Sequence, residues 1–287
     1  MSLLTVAWFA ILVVSNLTTI IWRLVFHQNA PLWSLGVRIG ILTGLFVLTM
    51  TVSDLRPLRG YLLATIGLAV GLFLTDLVYL HGAVRAWIDA APWRNAVIVS
   101  STVKLITVAA MGITVIGMNR QSLYLAIGRL DALSRVPFSQ GTVPWTTLGI
   151  ILTVIFGASV AIFMTAALRP DFQQFQRAAA LLPLIVFFAA LNAFNEEFIF
   201  RSVLLGRLAP AVGGEQALWI TSVNFGLGHW FGNPRGPIGV VMATVAGLFW
   251  GKSMLETGGF FWAWLIHFIQ DVVIFSFLIM GTAKSSP

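Results

Sequence analysis

Apolar runs of about 20 residues recur along this chain, separated by short clusters of proline, glycine and charged residues. An α-helix needs roughly 20 predominantly apolar residues to cross the hydrocarbon core of a bilayer. The pattern therefore predicts an all-α fold, a polytopic transmembrane helical bundle of eight to nine spans. The nine candidate spans are residues 3–22, 32–52, 60–80, 94–118, 146–168, 182–207, 215–230, 237–255 and 259–280. The run 215–230 is the shortest, and without it the count is eight.

The composition agrees with a membrane protein. Of the 287 residues, 58% are hydrophobic and 9% are charged, whereas soluble domains carry roughly 25% charged residues. The net charge of +7 suits loops beside anionic headgroups, so the lipid bilayer is an expected partner. No basic cluster forms a platform for nucleic acid. We expect an integral, multi-pass protein of a prokaryotic plasma membrane, and the oligomeric state and orientation stay open.

The chain contains no cysteine, which excludes thiolate catalysis and zinc sites with Cys ligands. We divide the chain into residues 1–178, with N-terminal transmembrane helices and an interfacial linker, and residues 179–287, which form the predicted catalytic core. The linker 119–144 is the longest connection. Its leucine spacing over 123–133 predicts a short helix, either in the membrane interface or in an ordinary loop.

Two adjacent carboxylates and an arginine interrupt the sixth apolar run. Ionisable groups inside transmembrane helices are costly, usually face the protein interior and often mark functional sites. Glu197 and Arg201 are four residues apart, so they share a helix face and can pair. Glu196 lies ~100° around the helix and is left for another role. A purely structural ion pair that locks two helices is the alternative interpretation at this point.

Two of the four histidines also lie in apolar surroundings, and both follow the glutamates along the chain. His267 and Asp271 are four residues apart and therefore on one helix face. If the last four spans alternate in direction, Glu196, His229 and this pair all lie roughly 12–21 Å below the turns at one end of the bundle. The sequence thus predicts a polar cavity inside the membrane.

Three other charged residues lie within the apolar runs of the first half. Asp76 and Lys104 fall on neighbouring spans, and we predict a structural pair between them. Arg38 is close to the end of its span, so its side chain is expected to extend to the membrane interface.

Three short motifs in the last third of the chain carry a family resemblance. They are Glu196-Glu197-x-x-x-Arg201, Phe225-x-x-x-His229 and His267-x-x-x-Asp271. In this order, and inside apolar helices, they resemble the three motifs of the CAAX-protease and bacteriocin-processing family. That family contains the type II CAAX prenyl endopeptidases and the Abi proteins. The likeness covers about residues 180–280 and implies a membrane-embedded endopeptidase with its site in a polar cavity among the helices.

The resemblance also implies roles for single residues. Glu196 matches the family's water-activating glutamate, and His229 and His267 match its two site histidines. Asp271 matches a position at which eukaryotic members often have Asn. An ionised Asp can only accept hydrogen bonds, whereas Asn can donate one to an oxyanion. We therefore interpret Asp271 as a residue that orients His267, and Phe225, at the start of the second motif, as a supporting residue.

Water is the remaining nucleophile for peptide hydrolysis, because the chain has no cysteine, no HExxH motif and no Ser-His-Asp order. In the predicted mechanism Glu196, helped by His229, takes a proton from water, and His267 holds the carbonyl oxygen. Glu197 and Arg201 brace the helix as supporting residues. No cofactor is expected. Zinc is the alternative, since one Glu, two His and one Asp have suitable ligand chemistry.

Two other function classes stay open at the level of sequence. The first is a non-catalytic scaffold, such as an immunity or partner-binding membrane protein, which would not need the four polar site residues. The second is an ion-coupled transporter with Asp76, Lys104, Glu196 and Asp271 as relay charges, although no paired inverted halves are visible. For the peptidase, the expected partner is a peptide or protein in or at the membrane, with a prenylated CAAX tail as one option.

Overall fold

The computed structural model describes residues 2–90, 92–135, 141–232 and 234–282. The helices are α1 Leu3–Val14, α2 Leu17–Phe26, α3 Trp33–Thr51, α4 Arg59–Leu80, α5 Gly82–Ala90, α6 Pro92–Ile113, α7 Trp145–Leu168, α8 Phe172–Ala180, α9 Leu182–Glu197, α10 Gly206–Val212, α11 Gly214–Gly228, α12 Pro237–Thr257 and α13 Phe261–Thr282. Short 3₁₀-helical segments cover Ser53–Leu58, Arg120–Leu123 and His229–Phe231, and a π-helical segment covers Phe198–Leu205. Strands β1 Leu133–Arg135 and β2 Thr142–Pro144 pair as a small antiparallel hairpin.

The predicted polytopic helical bundle is confirmed. Within the described ranges, seven helices are long and apolar enough to cross a membrane, and the bent pair α1–α2 raises the number to eight. The expected span at 215–230 corresponds to α11, which has only 15 residues. A helix of that length is about 22 Å long, less than the hydrocarbon core of a bilayer, so α11 does not count as a crossing.

The first predicted span, 3–22, is broken in the middle. Helices α1 and α2 meet at an angle of 54°. Ser15 ends α1 in an extended conformation, and its hydroxyl accepts a hydrogen bond from the backbone N–H of Leu17 at 3.2 Å. Serine and asparagine side chains compete with helical hydrogen bonds in this way, so the Ser15-Asn16 pair accounts for the break.

Helix α11 lies in the interior of the bundle and sets the position of the polar residues around it. Its side chains Ala217, Ile220 and Phe225 are fully buried. It approaches α12 closely at Gly226, where an added Cβ would lie 2.6 Å from the carbonyl oxygen of Val240. A larger residue at this point would therefore push the two backbones apart.

The predicted helix over residues 123–133 is wrong. The backbone of this part of the linker bonds instead to the turn between α12 and α13. Arg129 donates its N–H to the carbonyl of Thr257, and Phe260 donates to the carbonyl of Ala126, both at 2.8 Å. Because these peptide groups are satisfied by another segment, the linker runs as an irregular strap over the end of the bundle.

Candidate active site

Glu196 and Glu197 lie at the end of α9, where the chain continues into the π-helical segment. Such π-helical turns are rare and occur mostly at functional sites. Glu197 is fully buried. Its Oε1 accepts a hydrogen bond from Nη1 of Arg201 at 3.1 Å and contacts Nδ1 of His267 at 2.8 Å. The ion pair expected from the sequence is therefore present, and it has a third member on another helix.

The guanidinium of Arg201 is enclosed by aromatic rings. Its central carbon lies 4.1 Å from the ring centroid of Phe225 and 5.1 Å from that of Trp250. The backbone of Gly247 also lies against the guanidinium, since an added Cβ there would lie 2.9 Å from Nη2 of Arg201. A buried cation is stabilised by the adjacent carboxylate and by the faces of the aromatic rings. Arg201 thereby holds Glu197 in place at the end of α9.

His267, on α13, joins the three carboxylates of the site. Its ring stacks on the indole of Trp250, with centroids 4.1 Å apart and planes at 14°. While Nδ1 contacts Glu197, Nε2 lies 3.6 Å from Oε2 of Glu196 and 3.5 Å from Oδ2 of Asp271. Polar groups at such separations are commonly bridged by water. The imidazole thus presents one nitrogen to a space between two carboxylates.

Asn192 links the carboxylates of α9 and α13. It lies one turn before Glu196, and its Nδ2 donates a hydrogen bond to Oδ2 of Asp271 at 2.9 Å. Its Oδ1 accepts a hydrogen bond from Nζ of Lys104 at 2.6 Å. Because an ammonium group can only donate, this contact fixes which way the amide of Asn192 is turned. Asn192 consequently holds Asp271 and Lys104 at a set spacing.

Lys104 enters the site from α6 and forms an ion pair with Oε1 of Glu196. The predicted pair between Lys104 and Asp76 is wrong, because α6 packs against α9 and brings the ammonium group to the buried carboxylate. The division of the chain into residues 1–178 and 179–287 stays a prediction. Lys104 shows that the first of these parts supplies a side chain to the site of the second.

His229 follows α11 directly and begins a 3₁₀ turn. Its Nδ1 lies 2.9 Å from the carbonyl oxygen of Phe225, and the two rings are 4.4 Å apart. A carbonyl only accepts hydrogen bonds, so Nδ1 carries the hydrogen and Nε2 of the neutral ring has the lone pair. His229 also interacts electrostatically with Glu196. The ring therefore offers a proton acceptor near the glutamate.

A cavity of about 330 Å³ lies between α7, α12 and α13. Its inner wall includes His229, His267 and Asp271. Glu196 is not on this wall but lies behind it, with Oε2 3.6 Å from Nε2 of His267. Its outer edge is formed by exposed apolar side chains: Ile155, Phe163, Val241 and Val245. The cavity thus opens on the apolar flank of the bundle and ends at the polar network. The structure brings all four predicted site residues to this one place.

Residues 178–273, about one third of the chain, match the family model described as type II CAAX prenyl endopeptidase Rce1-like. This part of the chain is similar to the CAAX protease family. The matched region contains all three motifs and ends after α13 has supplied Asp271. Comparisons with curated proteins and with solved structures found no match. The chain is a multi-pass membrane protein, and about one third of it is similar to a family of CAAX-type membrane proteases.

Three residues that contact the three motifs were not predicted as site residues from the sequence. Asn192 precedes Glu196 by four residues, so the i,i+4 spacing used for other pairs would have found it. Lys104 was visible as a charge inside an apolar run, but its partner depends on which helices are neighbours. Trp250 gave no signal, because one tryptophan among 11 in an apolar chain is unremarkable in sequence.

In the described part of the chain, no group of three or more His, Asp or Glu side chains is placed to hold a metal ion. The ammonium group of Lys104 forms an ion pair with the carboxylate of Glu196. Nδ1 of His267 is already hydrogen-bonded to Glu197. A divalent cation bound to this carboxylate would be repelled by the adjacent ammonium group.

Proposed function

We propose that this protein hydrolyses a peptide bond of a membrane-associated substrate, with water as the nucleophile and without a metal. The observation that supports this most directly is the position of Nε2 of His267. It lies within 3.6 Å of the carboxylates of Glu196 and Asp271 and on the wall of a cavity with an apolar entrance. A water molecule and a peptide carbonyl have polar partners there, inside an otherwise apolar bundle.

Glu196 acts as the general base in this proposal, helped by His229. Oε1 of Glu196 is bonded to Lys104, which leaves Oε2 to accept the proton of the attacking water. The ammonium group neutralises the charge of the buried carboxylate, which would otherwise be strongly disfavoured in the bilayer. His229, held by its bond to the carbonyl of Phe225, directs a lone pair on Nε2 towards the same water.

His267 stabilises the developing oxyanion. With both ring nitrogens protonated, Nδ1 donates to Glu197 and Nε2 donates to the carbonyl oxygen of the substrate. Three nearby carboxylates, those of Glu196, Glu197 and Asp271, favour the protonated ring by their charge. Asp271 orients this imidazole, because a carboxylate cannot donate to an oxyanion. Donors fixed in advance at the position of the oxyanion are usually the largest contribution to such catalysis.

One hydrolytic cycle forms a C–O bond and breaks the peptide C–N bond. The oxygen of water bonds to the carbonyl carbon while its proton passes to Glu196. The C–N bond of the peptide then breaks, and Glu196 returns that proton to the leaving amine. The products are a carboxyl group and an amine, and each side chain of the site regains its starting state.

The shape of the cavity favours a substrate that is itself held by the membrane. Its entrance between α7 and α12 is apolar and exposed, so a lipid-anchored or membrane-embedded peptide reaches the site without crossing water. A prenylated CAAX tail is the first class to test, since the matching family model bears that name. We place the protein in a prokaryotic plasma membrane.

The proposal is tested with purified protein in liposomes and two peptides of one CAAX sequence, farnesylated and unmodified. We expect the wild-type protein to release the C-terminal tripeptide from the farnesylated peptide. Glu196→Gln keeps the size of the side chain but removes the base, so its rate should fall by roughly 100-fold or more. If Glu196→Gln cleaves at the wild-type rate, the site is not the one described. If the wild-type protein cleaves neither peptide, the scaffold interpretation gains support.

Chelation separates the metal-free mechanism from the zinc alternative. We expect the cleavage rate to be unchanged after treatment with a strong chelator. Loss of activity that zinc restores would overturn the metal-free mechanism while leaving the peptidase proposal intact.

A further inference from the structure

A second cavity, of about 530 Å³, lies in the N-terminal half among α2, α3 and α4. Its wall contains both polar and apolar side chains, and it shares no residue with the cavity between α7, α12 and α13. The polar side chains that matter here are Thr19, Arg23, Ser34, Arg38 and Asp76. Its volume falls in the range of roughly 300–1,000 Å³ that is usual for ligand pockets.

Arg38 is the buried charge of this cavity, with only 4% of its surface exposed. Nη1 donates to the carbonyl oxygen of Ser15, at the break between α1 and α2, and Nη2 donates to Oγ1 of Thr19 at 3.0 Å. A guanidinium has five N–H donors, so three remain unused. Nε is buried and has no partner among the described residues, and the same holds for the hydroxyl of Ser34. Buried donors without acceptors are costly, so a ligand that accepts hydrogen bonds is favoured here.

Two further charges face the same space. Arg23 is exposed on α2, lines the wall and lies over the ring of Phe231 at 5.4 Å. Asp76 is exposed on α4 and interacts electrostatically with Arg38. No salt bridge within 4.0 Å joins Asp76 to an arginine in the described ranges. The cavity therefore presents two guanidinium groups, those of Arg23 and Arg38, and the carboxylate of Asp76, which forms a salt bridge with neither of them.

Arg38 and Asp76 lie close to one end of their helices. Arg38 lies five residues after the start of α3, and Asp76 lies four residues before the end of α4. At 1.5 Å per residue both are roughly 6–8 Å from the helix ends. Helix α3 has 19 residues, so it is about as long as the hydrocarbon core is thick. The cavity therefore lies about one helical turn below the headgroup layer, and a phospholipid headgroup that binds there is drawn inward by about this distance.

We propose that this cavity binds the headgroup of a phospholipid that carries both a phosphate and a primary ammonium group. The phosphate accepts hydrogen bonds from Arg38 and Arg23, because guanidinium donors match phosphate oxygens in pairs. The ammonium group donates to Asp76. A trimethylammonium group has no N–H to donate, and a headgroup with only negative charge is repelled by Asp76. This combination of charges therefore selects phosphatidylethanolamine over phosphatidylcholine and phosphatidylglycerol.

The test uses the purified full-length chain in detergent and needs no peptidase activity. An equimolar mixture of the three phospholipids, with identical acyl chains, is added, and native mass spectrometry measures which lipid is retained. We expect the wild-type protein to retain phosphatidylethanolamine over phosphatidylcholine by about tenfold, the effect of one charge-assisted hydrogen bond. Asp76→Asn should bring this ratio close to one. Asp54→Asn is the matched control, an exposed aspartate beyond the opposite end of α3.

A second pair of variants tests the phosphate contact. Arg23→Gln should lower the retention of phosphatidylethanolamine and phosphatidylcholine alike, because both carry a phosphate. Arg56→Gln, an exposed arginine at the other end of the bundle, should have no effect. Both positions are exposed, so the variants are expected to fold, and a single sharp peak in size-exclusion chromatography checks this.

Four results would overturn the proposal. The first is equal retention of all three lipids by the wild-type protein, and the second is an Asp76→Asn variant that selects lipids as its control does. The third is a preference for phosphatidylglycerol, which would assign the cavity to simple anions. Displacement of the bound lipid by equimolar free phosphoethanolamine would also overturn it, by assigning the cavity to a soluble compound.

Discussion

The bundle contains two clusters of charged side chains, and they are built in opposite ways. Around Glu196 the charged and polar groups bond to one another from α6 through α9 to α13. Around Arg38 the opposite charge, on Asp76, stays beyond salt-bridge distance across a cavity. Both clusters lie in a membrane bundle, where an ionisable group is costly unless it has a partner.

The difference shows what each cluster is suited for. Side chains that bond to one another keep a fixed geometry, which catalysis needs to within about half an ångström. Side chains that face each other without bonding leave their hydrogen-bond capacity for a ligand. The cluster around Glu196 is closed by its own bonds, whereas the cluster around Arg38 is open to a ligand. The closed and the open cluster therefore respond differently when one member is removed.

The largest loss of stability is expected from Arg201→Met. This variant leaves the buried carboxylate of Glu197 without its cation, and breaking a buried pair in this way costs about 3–5 kcal/mol. The free energy of unfolding in detergent should fall by this amount. The open cluster should behave otherwise, with Asp76→Asn changing stability by less than ~0.5 kcal/mol. Equal losses in the two variants would contradict the distinction between closed and open clusters.

His229→Gln should lower the rate of peptide cleavage by roughly 100-fold, since it removes a proton acceptor near the attacking water. Stability should change little, because His229 is only partly buried and, within the described ranges, its ring makes one hydrogen bond, to the carbonyl of Phe225. His81→Gln, at an exposed position, is the matched control. A rate equal to that of the control would remove His229 from the mechanism.

Lys104→Met should reduce the cleavage rate by up to roughly 100-fold, because Glu196 and Asn192 lose the group that positions them. Lys104→Arg, which keeps the charge, should recover part of the rate. Lys252→Met is the control, since its pair with Glu256 is partly exposed and such pairs contribute little. An unchanged rate in Lys104→Met would mean that the ion pair is only structural.

The smallest effect on stability is expected from an alanine substitution at a glycine of each region, Gly247 and Gly40. Gly247→Ala places a Cβ 2.9 Å from Nη2 of Arg201 and should destabilise the protein by about 1–3 kcal/mol. Gly40→Ala meets no atom within 4 Å and should cause no loss. Thermal unfolding of the two variants side by side measures the contrast. Equal midpoints of thermal unfolding would show that the closed cluster has more space for a Cβ beside Arg201 than the distances indicate.

The membrane spans and the motif residues were predictable from the sequence, for a local reason. Apolar length decides whether a helix crosses a bilayer, and a spacing of four residues decides whether two side chains share a face. Both properties are read from contiguous residues. The pairs Glu197–Arg201 and His267–Asp271 lie on shared faces as predicted.

The partners of Lys104 and Arg38 were not predictable, because they depend on which helices are neighbours. Lys104 was assigned to Asp76 on a helix adjacent in sequence, but α6 also packs against α9. Arg38 was expected to extend to the interface. Instead it turns inward to the carbonyl of Ser15, which is freed by a helix break that hydropathy does not reveal. The short length of α11 was not predictable either, because it depends on where the two ends of the helix are capped.

The most direct test of the central claim is a comparison of peptide termini in membranes that contain equal amounts of the wild-type protein or Glu196→Gln. Mass spectrometry of the membrane fraction identifies every new C-terminus and N-terminus. The described site predicts termini that are present with the wild-type protein and absent with Glu196→Gln. Identical termini in the two samples would contradict it.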